Sequence, residues 1–282
     1  MSRLYRKSLQ LHFGDVQDPT FMLNILKTTK PDQVYNFAAA SHVANSFQNP
    51  TTTFTVNTQP LWLIFQSILT LELKDKTVVF HASTSEMFGD HAKGVDKFHE
   101  GSDFKPMSPY AVSKVSAYHI CSYFKRVYGL QVCTALSFNH ESPMRNQLFV
   151  TQKIVRAAVN LRNCQTKEEF DMHRLYLGNL KAIKDWGHSA EYCDAYHRMV
   201  VAEKRRALVS SKSLNPSIEV PTNNKDMTVY VVATDQICTV QDFCTEVFVQ
   251  AGFTNLQWSG EGVEAKLTGI PPLFHFAGPQ EP

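Results

Sequence analysis

The 282-residue chain has no long apolar run, no paired cysteine motif, no marked excess of charge and no glycine-rich turn, and each absence narrows what it can be. Its longest apolar stretch, around Pro60 to Leu73, is interrupted by Gln66, Ser67, Thr70 and Glu72, too short and too polar for a bilayer-spanning helix. The basic opening Met1-Ser2-Arg3-Leu4-Tyr5-Arg6-Lys7 leads into no continuous apolar segment, which argues against a secretory signal. A formal net charge of +2 does not suggest nucleic acid, and the only compact basic run, Lys204-Arg205-Arg206, reads as a helix end. Six cysteines, at 121, 133, 164, 193, 238 and 244, include no Cys-x-x-Cys and no metal-like pairing. They read as free thiols in a reducing compartment, so a cytoplasmic protein without a metal site is expected. Twelve glycines are scattered, and none forms the Gly-x-x-Gly-x-x-Gly turn that presents backbone N–H groups to a dinucleotide pyrophosphate.

What remains, 43% hydrophobic and 19% charged, is the composition of a globular protein with one large domain or two intimate ones. Short apolar runs alternate with helical stretches. Leu9 to Phe13, Val34 to Phe37, Thr77 to Ala82 and Gln131 to Phe138 read as strands; Thr20 to Thr29, Thr51 to Leu71 and Tyr110 to Val127 read as helices, the last closing at Gly129. This rhythm, with strands too apolar for one-sided exposure, predicts an α/β fold with a doubly wound parallel sheet. Beyond Pro143 the pattern loosens into helices at Phe149 to Asn160 and Ala190 to Ala207, short strands at Leu175 to Leu177 and Val229 to Ala233, and an exposed loop from Ser210 to Lys225.

Three pieces carry chemistry. Ser83-Thr84-Ser85-Glu86 follows a strand, Tyr110-Ala111-Val112-Ser113-Lys114 opens a helix, and Asn139-His140-Glu141-Ser142-Pro143 follows the next strand. In a parallel sheet these positions lie at the carboxyl ends of strands, where ligands bind. Tyr110 and Lys114 are four apart on one helix face, so the ammonium can lie beside the phenol and favour phenolate, as a general base for a hydroxyl requires. Tyr-x-x-x-Lys alone is a weak signal; the hydroxyl triplet with its carboxylate and the Asn-His-Glu-Ser-Pro step give it weight.

Together with Tyr35 to Val43, Ala82 to Gly89, Ser108 to Lys114, Phe138 to Pro143 and Asp185-Trp186-Gly187-His188, these residues resemble the extended short-chain dehydrogenase/reductases, and within them the GDP-mannose 4,6-dehydratase family. The likeness runs from about Leu11 to Gly269. It implies a Rossmann-like region over residues 1–143 and a smaller, interleaved substrate-binding region over 144–282. It implies NADP as cofactor, contacted by Asp15, Val16, Phe37, Ala38, Ala39, Ala40, Ser41, Lys114, His140 and Arg145. Thr84, Glu86, Tyr110 and Lys114 would be catalytic: Tyr110 the base at the sugar C4 hydroxyl, Thr84 polarising the same oxygen, Glu86 the base at C5. GDP-mannose would meet Ser85, Asn139, Val150, Lys153 and Lys184.

The departures shape the expectation too. The family's glycine-rich turn and its first two strands have no counterpart here, which would leave a gap on the order of 10–15 Å between the strands at Leu9 and Val34. Lys184 stands in place of an arginine fork, and Thr52 in place of a tyrosine. The chain is therefore expected to be a truncated relative, either an active homo-oligomeric lyase or a non-catalytic chain that pairs with a full-length subunit.

Overall fold

The computed structural model describes residues 9–89, 97–164, 166, 169, 175–212, 228–260 and 266–270. In chain order the described strands are β1 (Gln33–Asn36), β2 (Val78–Ala82), β3 (Gln131–Ser137), β4 (Asn139–Glu141), β5 (Ile183–His188), β6 (Thr228–Val232), β7 (Ile237–Thr239), β8 (Thr254–Ser259) and β9 (Lys266–Ile270). The described helices are α1 (Pro19–Thr29), α2 (Val43–Gln48), α3 (Pro50–Thr70), α4 (Pro109–Tyr128), α5 (Val150–Arg162), α6 (Ser189–Lys212) and α7 (Val240–Gln250). They form two compact units, Met1–Phe138 with Cys193–Val232, and Asn139–Tyr192 with Ala233–Pro282.

The first unit is built on a parallel sheet in the order β1-β2-β3-β6. Every residue of β3 is buried and β2 is buried over Val78–His81, as an apolar strand covered on both faces must be. Leu61, Phe65 and Ile68 of α3 and Ala117, Cys121 and Phe124 of α4 close onto this sheet in one core with Val79, Val132 and Leu136. Glu203 of α6 is a buried carboxylate that Lys125 and Thr228 both satisfy, tying α4 and β6 to α6.

Two of these helices begin on local capping chemistry. The Asp18 side chain accepts from the Thr20 N–H and starts α1, with Pro19 at the first position where its missing donor costs nothing. Ser108 caps α4 in the same way, again with a proline next, and Gly129 ends it at φ 68°.

Two predicted strands are absent. Leu9 to Phe13 forms no strand, and Leu9, Leu11 and Phe13 are largely exposed, Phe13 at 96%. Its alternating pattern suits a pleated surface, but β1 pairs only with β2 and no described strand offers Leu9 to Phe13 a ladder. Leu175 to Leu177 is irregular as well; its two leucines instead pack against the core of the second unit. Of the predicted loop at Ser210 to Lys225, residues 210–212 extend α6 and 213–225 lie outside the described residues.

The second unit holds β4 parallel to β5, β7 antiparallel to β5, and the antiparallel pair β8 and β9. Its core joins Ile154 and Ala158 of α5 to Val240, Cys244 and Phe248 of α7.

Candidate active site

β2 delivers Ser83 and Thr84 to its carboxyl end. The Ser83 N–H donates to the Ala135 carbonyl at 2.8 Å, and its hydroxyl points at the Met87 sulfur at 2.8 Å, so both its polar groups are used internally. Thr84 caps the single 3₁₀ turn Ser85–Phe88, its oxygen accepting from the Glu86 N–H at 3.2 Å. That turn lifts Glu86 into a half-buried position beside the buried Thr84. Gly89 ends the turn at φ 78°, and a Cβ there would lie 2.0 Å from the Lys105 carbonyl oxygen, so only glycine lets residue 105 pass.

Tyr110 and Lys114 lie on the first turns of α4, both buried. Lys114 reaches under the phenol: its ammonium is 5.9 Å from the Tyr110 ring centroid and donates to the Ala82 carbonyl at 2.8 Å. Burial pulls the Lys114 ammonium down to about 8. In β2 the neighbouring His81 is held well below the ordinary imidazole range, first by burial and then by the Lys114 charge, with Asn36 3.4 Å from its Nδ1. His81 is thus a neutral imidazole under the lysine.

Phe37 to Ser41 run from the end of β1 into α2. Phe37 is half exposed and packs its ring against Phe80 and Tyr196, while Ala38, Ala39 and Ala40 are half-buried. The Ala40 N–H donates to Asn57 Oδ1 of α3 at 2.8 Å, and Asn57 Nδ2 donates to Ser113 of α4 at 2.8 Å. Asp15 turns the chain, its carboxylate accepting from the Gln17 N–H at 2.8 Å, and Val16 packs onto the core.

Asn139, His140, Arg145, Val150, Lys153 and Lys184 belong to the second unit. Asn139 and His140 lie on β4 opposite Trp186 and Gly187, and the His140 ring stacks on Tyr192 at 4.4 Å. Gly187 makes room for that tyrosine, since a Cβ would come within 2.4 Å of it. Arg145 lies 3.7 Å over the Phe149 ring with its Nε 3.3 Å from Glu141 as an ion pair, and the Glu141 carboxylate accepts a hydrogen bond from Thr151 at 2.9 Å. Val150 opens α5 and Lys153 projects from it exposed. Lys184, half-buried, pairs with Cys238 across β5 and β7. The adjoining Asp185 is consumed structurally: its carboxylate accepts from the Thr234 N–H and hydroxyl and from the Asp235 N–H, at 2.7 to 3.1 Å. Sequence reasoning passed over Asn57, and a lone buried asparagine in a helix carries no motif by which to find it.

Among the described residues no His, Cys, Asp or Glu cluster could hold a metal ion, and no helix is long and apolar enough to cross a membrane. Residues 2–220 match a family model described as GDP-mannose 4,6 dehydratase. A GDP-mannose 4,6-dehydratase of Sinorhizobium fredii is 36% identical over 91% of this chain and 64% of its own length. One of Sordaria araneosa is 35% identical over 93% of this chain and 42% of its own. The chain thus spans roughly half the length of the relatives it matches. In solved structures, RMD from Pseudomonas aeruginosa complexed with NADPH superposes at a TM-score of 0.68 with 20% identity, over 89% of this chain and 77% of that one, a likeness of Rossmann-type fold.

Proposed function

Because the chain belongs to the GDP-mannose 4,6-dehydratase family, we propose that it serves the dehydration of GDP-mannose to GDP-4-keto-6-deoxymannose. The observation that carries this reading is the bond from Lys114 to the Ala82 carbonyl, which joins the helix of Tyr110 to the end of the strand that leads into Thr84 and Glu86. A base for a hydroxyl and a second base for a carbon acid are then within one unit. In this reading Tyr110 takes the proton of the C4 hydroxyl, Thr84 donates a hydrogen bond to the same oxygen, and Lys114 supplies the positive charge that favours phenolate. The resulting 4-keto group acidifies the C5 proton. Glu86 removes it and returns a proton to the leaving C6 hydroxyl, so water departs and the carboxylate is regenerated. Ser85, Asn139, Val150, Lys153 and Lys184 are assigned to contacts with GDP-mannose.

A nicotinamide cofactor is supported by the NADPH-bound fold neighbour, and NADP is our finer assignment. The residues present suit its pyrophosphate and ribose: three small side chains, Ala38 to Ala40, on a backbone that Asn57 fixes, at the carboxyl end of a parallel strand, with the Lys114 donor on α4 of the same unit. Asp15, Val16, Phe37, Ser41, His140 and Arg145 are assigned to it as well. Bound there, it would supply the acceptor for the C4 hydride and the donor for the hydride at C6. The cytoplasm is the proposed location, and the nucleotide region and the substrate region are assigned to the earlier and later parts of the chain.

A second reading is favoured by two observations, the absence of any Gly-x-x-Gly-x-x-Gly turn in the sequence and an edge of β1 along which, among the described residues, no strand lies. In it the chain is non-catalytic by itself and acts by pairing with a longer subunit of the family. Incubating the purified chain with GDP-mannose and NADP, alone and with a longer homologue, and following loss of water by mass spectrometry decides between them. Product from the chain alone supports the first reading; no product from the chain alone but more from the mixture than from the homologue alone supports pairing; no product from the chain alone and none beyond the homologue's own in the mixture defeats both.

A further inference from the structure

Asn57 occupies every polar atom of its amide in joining two segments that are far apart in sequence. It is 2% exposed, in the middle of α3. Its Oδ1 accepts from the Ala40 N–H at 2.8 Å, and its Nδ2 donates to the Ser113 hydroxyl at 2.8 Å and, more weakly, to the Ala40 carbonyl at 3.4 Å. Ser113, itself fully buried, passes the chain on by donating to the Tyr110 carbonyl at 2.6 Å. Two residues along the same helix, Gln59 accepts from the Gln17 side chain at 3.2 Å and donates to the Gln17 carbonyl at 3.4 Å, holding the turn that Asp15 begins. One helix therefore grips both of the short segments assigned above to the cofactor, and one of those grips continues into the helix that carries Tyr110.

From this geometry we infer that Asn57 is a positioning residue, a latch that sets the Phe37 to Ser41 segment against the Tyr110 helix; its consequence for cofactor binding rests on the reading under Proposed function. The chemistry requires an amide. The Ala40 N–H needs an acceptor and the Ser113 oxygen, whose proton is already given to Tyr110, needs a donor, and asparagine supplies both from one planar group. A carboxylate would supply the acceptor alone, and a leucine of similar size neither. Ser113 fixes which way the amide faces, so its hydroxyl also protects the Ala40 bond.

Two variants of the 282-residue chain test this, Asn57→Leu and Ser113→Ala, with amide hydrogen exchange read by mass spectrometry on the segment containing Ala40. Exchange there should accelerate about tenfold in Asn57→Leu and by a smaller factor in Ser113→Ala, where the amide can turn over, while the core around Leu61 and Phe65 keeps its protection. The NADPH dissociation constant, taken by fluorescence titration, should rise in the same order, about tenfold and then less. Ser113→Ala removes a single hydroxyl and keeps the test available if Asn57→Leu does not fold. Parent-like exchange at Ala40 in a folded Asn57→Leu protein, or in Ser113→Ala when the leucine variant fails, overturns the latch. If the parent chain itself binds no NADPH, the cofactor reading fails while the exchange comparison still decides the latch.

Discussion

The Lys114 ammonium donates to the main-chain oxygen of Ala82 at 2.8 Å, so a buried charge is held at the end of the strand that leads into Ser83 and Thr84. A cation in that position faces two costs. It has left water, and its partner is a neutral carbonyl rather than a carboxylate. Both are tolerable only where the charge has a use, which is the physical argument for reading Lys114 as part of a reacting site rather than as packing.

The first prediction follows from the sign of that cost. Lys114 is lowered from 10.5 to about 8 by burial, a difference on the order of 3 kcal/mol. Between pH 8 and 10.5 the unfolded chain keeps this proton while the folded chain has released it, so stability rises with pH in that window and is unaffected by this group below it. Lys114→Met lacks the titration. At pH 7 its melting temperature should match or exceed the parent's, and between pH 8 and 10 the difference should move in the parent's favour. Thermal melts of both proteins across that range give the answer, and a constant difference would mean that the ammonium is not desolvated.

The second prediction separates the two bases in a preparation that turns over GDP-mannose. Tyr110→Phe keeps the ring and removes the phenol, so oxidation at C4 should cease. Glu86→Gln is isosteric and leaves Tyr110 and Lys114 untouched, so oxidation at C4 should proceed while elimination stops, and the 4-keto sugar should accumulate together with reduced cofactor. Run in heavy water, this variant should not place deuterium at C5. Parent-rate exchange at C5 would assign that proton to another group.

Much of the first unit was legible in the sequence because its signals are local. Ser108-Pro109 and Gly129 bracket α4 by capping chemistry alone, and β2 and β3 declare themselves by short, mostly apolar runs rich in β-branched residues. Leu9 to Phe13 misled because alternation describes side chains and says nothing of a partner, and a strand without a ladder partner does not form. β4 and β7 have three residues each, too few to show a period. The Thr239 to Asp242 capping box of α7 was readable but went unread. The candidate catalytic residues stand out in sequence because they fall in two short motifs, Ser83 to Glu86 and Tyr110 to Lys114. Asn57 could not, because what defines it is a set of bonds to residues 17 and 56 positions away.

The third prediction concerns Asp185. A segment read as part of the substrate region contains a carboxylate whose hydrogen bonds all go to Thr234 and Asp235, holding the turn after β6. Hydrogen bonds to a charged acceptor contribute roughly 1.5–3 kcal/mol each and are not additive. Asp185→Asn turns one acceptor oxygen into a donor facing N–H groups, so it should lower unfolding free energy by about 2–4 kcal/mol, measured by urea denaturation. An Asp185→Asn protein as stable as the parent would mean that this turn is held by something else.

The last prediction concerns the edge of the parallel sheet. β1 is bonded to β2 along one side, and among the described residues no strand lies along the other. Tyr35 of β1 and Phe37 just after it are 36% and 54% exposed at this edge, their rings 6.5 Å apart and both packed on Phe80, and Leu11 and Phe13 are further exposed apolar side chains. An unpaired edge that is also aromatic is a template for another strand, and it lacks the charges and prolines by which sheet edges are usually protected. Expressed by itself, the 282-residue chain should therefore self-associate, with a sedimentation coefficient that climbs with concentration. Tyr35→Lys puts a charge on the exposed edge and gives up the tyrosine's hydrogen bonds with Gln33 and His197 and its ring contacts with Phe37 and Phe80. The variant should shift the distribution toward monomer without lowering the melting temperature by more than a few degrees, as expected for a surface substitution. If the parent chain stays monomeric at every concentration, or if Tyr35→Lys leaves the association unchanged, the edge of β1 is not the surface that joins the chains, and the pairing reading loses its structural support.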